Sequence, residues 1–306
     1  MKKYLYKKIK FIPGQIKTVT TIIVLIITTI FLSKTLLDYY DQTQHIIYSI
    51  SPVRVFLSLL FFLGYLYCRA LSWKSLIHFL GAPLNKTNSL SIWFFSEATR
   101  YIPGNVWSFV SRSYLAQQKK VSRSISILIS PFEAIIIITT TAVLSSYSII
   151  KNLKLFYTNS VFDIILIASL LTILLILILH KPVYKVLRRL TGKILFPKQI
   201  ITALIFQFLS WSFYSIGYLV LITEITKIND PVLLLSSALL AWLIGYLSII
   251  IPMGLGIREG VFVLLAGPQI GVPQAVLVAV LARIILICSE LLNLFFWVSV
   301  RKKLPI

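Results

Sequence analysis

The chain has 306 residues, 58% of them hydrophobic and 13% charged, with a mean hydropathy of +0.90. Soluble domains carry roughly 25% charged residues, so a water-soluble globule is excluded, as are disordered, collagenous, coiled-coil and disulfide-scaffold chains. The net charge of +21 has no soluble basic domain to sit on, which excludes a nucleic-acid partner and leaves a polytopic membrane protein.

In chain order, apolar segments fall near 19–37, 52–72, 124–150, 160–180, 200–222, 232–251 and 274–299. Each is close to the ~20 residues that cross a ~30 Å hydrocarbon core as a helix. The first follows a basic start, as in a signal peptide, but its run is too long and no small-residue cleavage pattern follows, so a retained first span is expected. Lys and Arg divide sharply among the connections. Residues 1–18, 73–88, 113–124, 181–199 and the tail hold twenty, whereas 38–51, 151–159, 223–231 and 267–273 hold only Lys151, Lys154 and Lys227. By the positive-inside rule both termini are expected in the cytoplasm of a multi-pass cell (cytoplasmic) membrane protein.

Two cytoplasmic ends require an even number of crossings, yet seven segments are long and apolar. Two Pro/Gly interruptions resolve the parity. Residues 88–112 contain Tyr101-Ile102-Pro103-Gly104-Asn105, and residues 251–267 contain Pro252-Met253-Gly254-Leu255-Gly256. Pro removes a backbone donor and Gly destabilises a helix, so a helix stops at each. With 88–112 a hairpin entered from inside and 232–267 a hairpin entered from outside, six full crossings remain; a full crossing by 232–251 with an extra one by 256–268 would restore the parity in another way. The expected fold is therefore a single all-α membrane domain over 1–306 built as an inverted repeat, about six transmembrane helices plus two broken, re-entrant hairpins. Its halves, about 19–150 and 160–299, share one order of elements in opposite orientation, a plan used by secondary transporters whose sites lie where the breaks meet.

Charge inside a membrane is costly, about 2.5–3.5 kcal/mol per residue on insertion scales, so ionisable residues at depth face cavities or partners. Eight qualify here: Glu97 and Arg100 before the first break, Arg112 after it, Glu133 in a span, Arg258 and Glu259 after the second break, and Arg283 and Glu290 in the last span. Trp93, Glu97 and Arg100 share one helical face, as do Arg283 and Glu290. A helix starting at Asn105, and another starting near Arg258, would each present free N–H groups to an anion. The arginine forks match phosphate oxygens, so an anionic head group is one reading. Mutual pairing of four Arg with four Glu for packing alone is the other. His45, His78 and His180 lie at span ends or in connections without metal-ligand spacing, and no nucleotide motif is present; no metal, cofactor or catalytic residue is expected.

The run Arg100-Tyr-Ile-Pro-Gly-Asn-Val-Trp-Ser108, with Arg112 and Glu133 beyond it, and the run Pro252-Met-Gly-Leu-Gly-Ile-Arg-Glu-Gly260, with Arg283 beyond it, resemble the lysylphosphatidylglycerol synthase transmembrane (flippase) domain family. The resemblance covers nearly the whole chain. It implies a translocase that moves an anionic or aminoacylated phospholipid, or a polyprenyl-linked lipid, between leaflets. No aminoacyl-transferase domain follows the last span in this sequence, so synthesis of the aminoacylated lipid is not expected. Expected partners are membrane lipids, an anionic phospholipid foremost, with a second copy of the chain or a separate lipid-modifying enzyme as further candidates. The competing reading is an intramembrane transferase that uses Glu97 or Glu259 as general base on a lipid-linked substrate.

Overall fold

A computed structural model describes residues 37–101, 107–153, 197–248 and 252–302, together with the single positions Ile26, Ile30 and Lys34. The expected span 160–180, most of 19–37 and of the basic connection 181–199, and the break residues Pro103, Gly104 and Asn105 lie outside the described residues. Among the described residues the chain is all α, with nine helices and two 3-10 turns. They are α1 (Tyr40–Ser49), α2 (Pro52–Phe79), α3 (Lys86–Glu97), α4 (Trp107–Gln118), α5 (Arg123–Leu153), α6 (Pro197–Ile225), α7 (Pro231–Leu247), α8 (Ile257–Ile270) and α9 (Val272–Lys302), with the 3-10 turns at Ala98–Tyr101 and Pro252–Gly254.

Four of the described helices, α2, α5, α6 and α9, are long and apolar enough to cross a membrane. Many large side chains on them face outward, among them Phe56, Ile135, Phe208 and Phe295, as lipid-facing surfaces require. Small and hydroxylated residues fill the contacts between helices. Along α2 and α6, Gly64 lies beneath the Phe213 ring and Gly217 beneath the Phe62 ring, where a Cβ would come within 3.2 and 3.1 Å. The Ser58 hydroxyl donates to the Gly217 carbonyl at 3.0 Å, and the Ser72 hydroxyl to that of Ala203 at 2.9 Å. Lipid tails are as apolar as leucine, so close backbone approach and such hydrogen bonds hold membrane helices together. At the far end, Glu224 accepts the Ser51 N–H at 2.8 Å and pairs with Arg54 at 3.2 Å, tying the end of α6 to the start of α2.

The order of elements recurs. A long helix, a short one, a break, a short one and a long one occur as α2 to α5 and again as α6 to α9. Contacts between the two sets come in exchanged pairs: α3 lies on α9 and α7 on α5, α2 touches α9 and α6 touches α5, and the two 3-10 turns touch each other. In the second hairpin α7 stops at Leu247 after 17 residues, about 25 Å at 1.5 Å per residue, less than the ~30 Å hydrocarbon core. The first is longer than 88–112, because α4 runs on to Gln118; the basic connection shrinks to a tight turn at Lys119–Ser122, where Lys120 adopts φ +64°. The connection 38–51, read from sequence as a loop, is largely α1. It holds no Gly or Pro before Pro52 and therefore nothing that stops a helix.

Candidate functional site

The two breaks bring distant charges together. The first 3-10 turn ends in Tyr101, which packs in a small buried cluster with Met253 of the second turn and Leu255. The second turn is held tight by glycine: Met253, Gly254 and Gly256 all have positive φ, and a Cβ on Gly254 would fall 2.5 Å from the Gly245 carbonyl oxygen. Gly245 on α7 also makes room for Arg258, whose Cγ would lie 2.2 Å from a Cβ there. Two glycines thus let the break and the first turn of α8 lie directly on α7.

Between the breaks is a cavity of about 270 Å³ whose wall includes Arg69, Arg100, Arg112 and Arg258, with Glu97, Glu133, Ser108 and Tyr246. Its size falls just under the ~300–1,000 Å³ of pockets for drug-sized ligands, enough for a head group and not for a whole lipid. A shallower groove of about 450 Å³ between α2 and α9, lined by Leu63, Tyr67, Leu292 and Phe296, is almost wholly apolar and contains none of these charges.

Arg112 is the hub. Its side chain is 1% exposed and forms ion pairs with Glu97 and Glu133, while its Nε donates to the Ser96 hydroxyl at 2.8 Å. Trp93 Nε1 donates to the other Glu133 oxygen at 3.3 Å. Arg100 pairs with Glu97 at 2.8 Å and with Glu290, which also accepts from the Tyr101 hydroxyl at 2.7 Å. In the second hairpin Glu259 accepts the Gly256 N–H at 2.8 Å and lies 3.6 Å from Arg283. Each hairpin is thus tied to the following long helix by one charge pair with the signs exchanged, Arg112 to Glu133 and Glu259 to Arg283.

Two arginines stand outside this pairing. Neither Arg69 nor Arg258 forms an ion pair among the described residues, and the Nε of each is buried without a hydrogen-bond partner. Both are at least nine-tenths buried. Arg69 donates to the Tyr65 hydroxyl at 3.2 Å and sits within a cage of Tyr65, Trp93 and Trp242 rings at 5.8, 5.6 and 5.4 Å. Arg258 lies 4.9 Å from the Trp242 ring centre. A cation–π contact contributes about 0.5–2 kcal/mol, whereas burying an unpaired charge costs several. Four arginines on the wall meet three carboxylates, Glu97, Glu133 and Glu290. The balance is positive and calls for an anion.

The structure thus gathers Glu97, Arg100, Arg112, Glu133 and Arg258 around one space, and it sets Glu259, Arg283 and Glu290 behind them. Glu259 corrects one expectation: the N-terminus of α8 is not wholly free for an anion, because its own carboxylate takes the Gly256 N–H. Pro252, Gly254 and Gly256 lie in the 3-10 turn and helix start that separate α7 from α8; Pro103, Gly104 and Asn105 lie outside the described residues. Among the described residues, no group of three or more His, Cys, Asp or Glu side chains converges as a metal ion requires.

Residues 19–289 match the family model for the lysylphosphatidylglycerol synthase TM region. The chain belongs to that family. No curated protein matches it. Membership ties the membrane helices to lipid chemistry, and it spans both hairpins and all four cavity arginines. Sequence reading missed Arg69 because it lies near the end of the expected span 52–72, where a cation reads as an interfacial anchor. α2 in fact continues to Phe79 and carries Arg69 inward. An arginine among the aromatics of Tyr65-Leu-Tyr-Cys-Arg69 was the available signal.

Proposed function

We propose that the protein is a flippase-like transporter that moves a lipid with an anionic head group between the leaflets of the cell membrane, both termini lying in the cytoplasm. The observation that carries this reading is the positive cavity between two interrupted helices, with Arg69 and Arg258 buried beside it and free of carboxylates. In this reading Arg69, Arg100, Arg112 and Arg258 receive the phosphate, Glu97 and Glu133 hold Arg112 in place, and Glu290 and the Glu259–Arg283 pair brace the hairpins. The acyl chains stay in lipid because the cavity admits only the head. The recurrence of α2–α5 in α6–α9 supports an inverted repeat whose halves rock about the fixed site.

The transferase reading draws less support, since Glu97 is committed to Arg112 and Arg100, and Glu259 to its helix start and Arg283.

The test is leaflet exchange. Purified protein in vesicles with fluorescent phosphatidylglycerol should accelerate the loss of dithionite-protected signal, and Arg258→Ala should slow it by at least about tenfold, the loss of one well-made charged contact. Equal rates for vesicles with wild type and with Arg258→Ala would overturn the reading.

A further inference from the structure

We propose that the head group is an acidic phosphate ester bearing hydroxyls and no amine, a phosphoglycerol type, which docks on Arg69 and Arg258 beside Trp242. This rests on the transport reading above and narrows its substrate.

The wall separates its charges unevenly. Both acidic side chains of the cavity are already engaged: Glu97 lies between Arg112 and Arg100, and Glu133 between Arg112 and Trp93. An ammonium entering the cavity would lose its water, find both carboxylates already paired with guanidinium groups, and stand among four guanidinium groups. Desolvating an ammonium costs several kcal/mol unless an anion receives it, and like charges nearby add to that cost. An aminoacylated or ethanolamine head is therefore disfavoured by the same wall that attracts its phosphate.

The free donors occupy the other part of the wall. Arg69 and Arg258 reach Trp242 at 5.4 and 4.9 Å, and each has a buried, unpartnered Nε. Tyr246 stacks on the same indole, its ring 4.9 Å away, and its hydroxyl is buried without a partner. Two unpaired cations and one unpaired hydroxyl in the same cavity complement an anion that carries hydroxyl groups. Buried polar groups are otherwise almost always satisfied, so these three mark where the ligand completes the network.

The full chain, purified in a phosphatidylcholine nanodisc, is titrated with dioctanoyl forms of phosphatidylglycerol, phosphatidic acid and lysyl-phosphatidylglycerol, and with glycerol phosphate as the soluble arm. Phosphatidylglycerol should bind at least about tenfold tighter than its lysyl ester. Arg69→Gln and Arg258→Gln should each weaken it by about tenfold or more. Tyr246→Phe, which removes one oxygen and threatens the fold least, should weaken phosphatidylglycerol about threefold to tenfold and leave phosphatidic acid unchanged. If the lysyl ester binds as tightly as phosphatidylglycerol, or tighter, the amine-free proposal fails and the transport reading stands. Binding of no lipid at all overturns both. Glycerol phosphate binding as tightly as the lipid assigns the seat to a soluble ester and again overturns both. Should an arginine variant fail to fold, the wild-type lipid series and Tyr246→Phe still decide.

Discussion

Arg100 and Glu290 form an ion pair although 190 residues separate them in the chain, and the neighbouring Tyr101 hydroxyl donates to the second oxygen of the same carboxylate at 2.7 Å. One glutamate on α9 thus holds the first break through two donors from consecutive residues. Arg100 and Glu290 are only 13% and 11% exposed at the side chain, so water does little to replace either partner. Glu290→Ala is expected to destabilise by about 3–5 kcal/mol, as when one partner of a buried pair is removed. Tyr101→Phe should cost about 0.5–1.5 kcal/mol. Thermal unfolding of both variants and of the double variant measures this; strictly additive effects would show that the two donors do not share the carboxylate.

Arg112 and Arg69 are both buried cavity arginines, yet their replacement should differ in kind. Arg112→Gln leaves Glu133 buried without a cation and Glu97 with Arg100 alone. It should lower the melting temperature sharply and reduce the protein recovered in membranes. Arg69→Gln strands no carboxylate, because Arg69 pairs with none among the described residues. Its melting temperature should stay near that of wild type in lipid-free detergent, and the protein should lose only the extra stability conferred by anionic lipid. Equal destabilisation by the two substitutions would count against a pairing hub at Arg112.

Gly245 and Gly260 offer a matched contrast within the second hairpin. A Cβ at Gly245 would meet Arg258 Cγ at 2.2 Å, near the rigid base of that side chain, whereas one at Gly260 would have nothing within 4 Å. Gly245→Ala should cost about 1–3 kcal/mol through overpacking and reduce leaflet exchange by displacing Arg258. Gly260→Ala should be neutral or stabilising by up to about 1 kcal/mol, because Ala favours a helix over Gly. The pair is read by thermal unfolding and leaflet exchange in parallel. Retention of full exchange by Gly245→Ala would separate the packing of the break from the seating of Arg258.

Much of this site is legible in the residue string, because charge in an apolar run is rare and costly. Glu97, Arg100, Arg112, Glu133 and Arg258 stand out without a structure, and Pro252-Met-Gly marks where a helix stops. The two all-α hairpins follow from charge parity across the connections. What stays hidden depends on distance in space. The sequence offers four arginines for four glutamates, a balance that would leave no seat for an anion; only packing adds Arg69 and shows that the surplus lies beside Trp242. Helix length is ambiguous in the same way, since Val232–Ile251 is long enough to cross by itself, whereas in the structure Ser248 is already extended and α7 stops at Leu247. Glu259 lies 3.6 Å from Arg283 and also takes the nearest free backbone N–H, that of Gly256, a local contact that spacing alone does not rank above a distant one.

Away from the cavity, Asp230 makes stability depend on pH. It lies in the connection before α7 and caps that helix by accepting the Leu233 N–H at 3.0 Å. It also accepts from Lys151 Nζ at 2.7 Å and from the Tyr147 hydroxyl at 3.1 Å, which joins the end of α5 to the start of α7. Burial by itself raises the pKa of a carboxyl group, but here these hydrogen bonds outweigh it, Lys151 first, and hold Asp230 below its ordinary value of 3.8. A value lower in the folded than in the unfolded chain means that the ionised group stabilises the fold above the unfolded value, and that this contribution fades as pH falls through the folded one. Asp230→Asn keeps a good helix cap and loses only the charge pair, worth about 0–1 kcal/mol at this partly exposed site. The melting temperature of wild type should therefore exceed that of Asp230→Asn by a small, constant margin from pH 7 down to about 5, and the margin should shrink as the pH falls past 3.8 and vanish below the lower folded value. A margin that persists undiminished at pH 3 would show that the aspartate acts through its shape and not its charge.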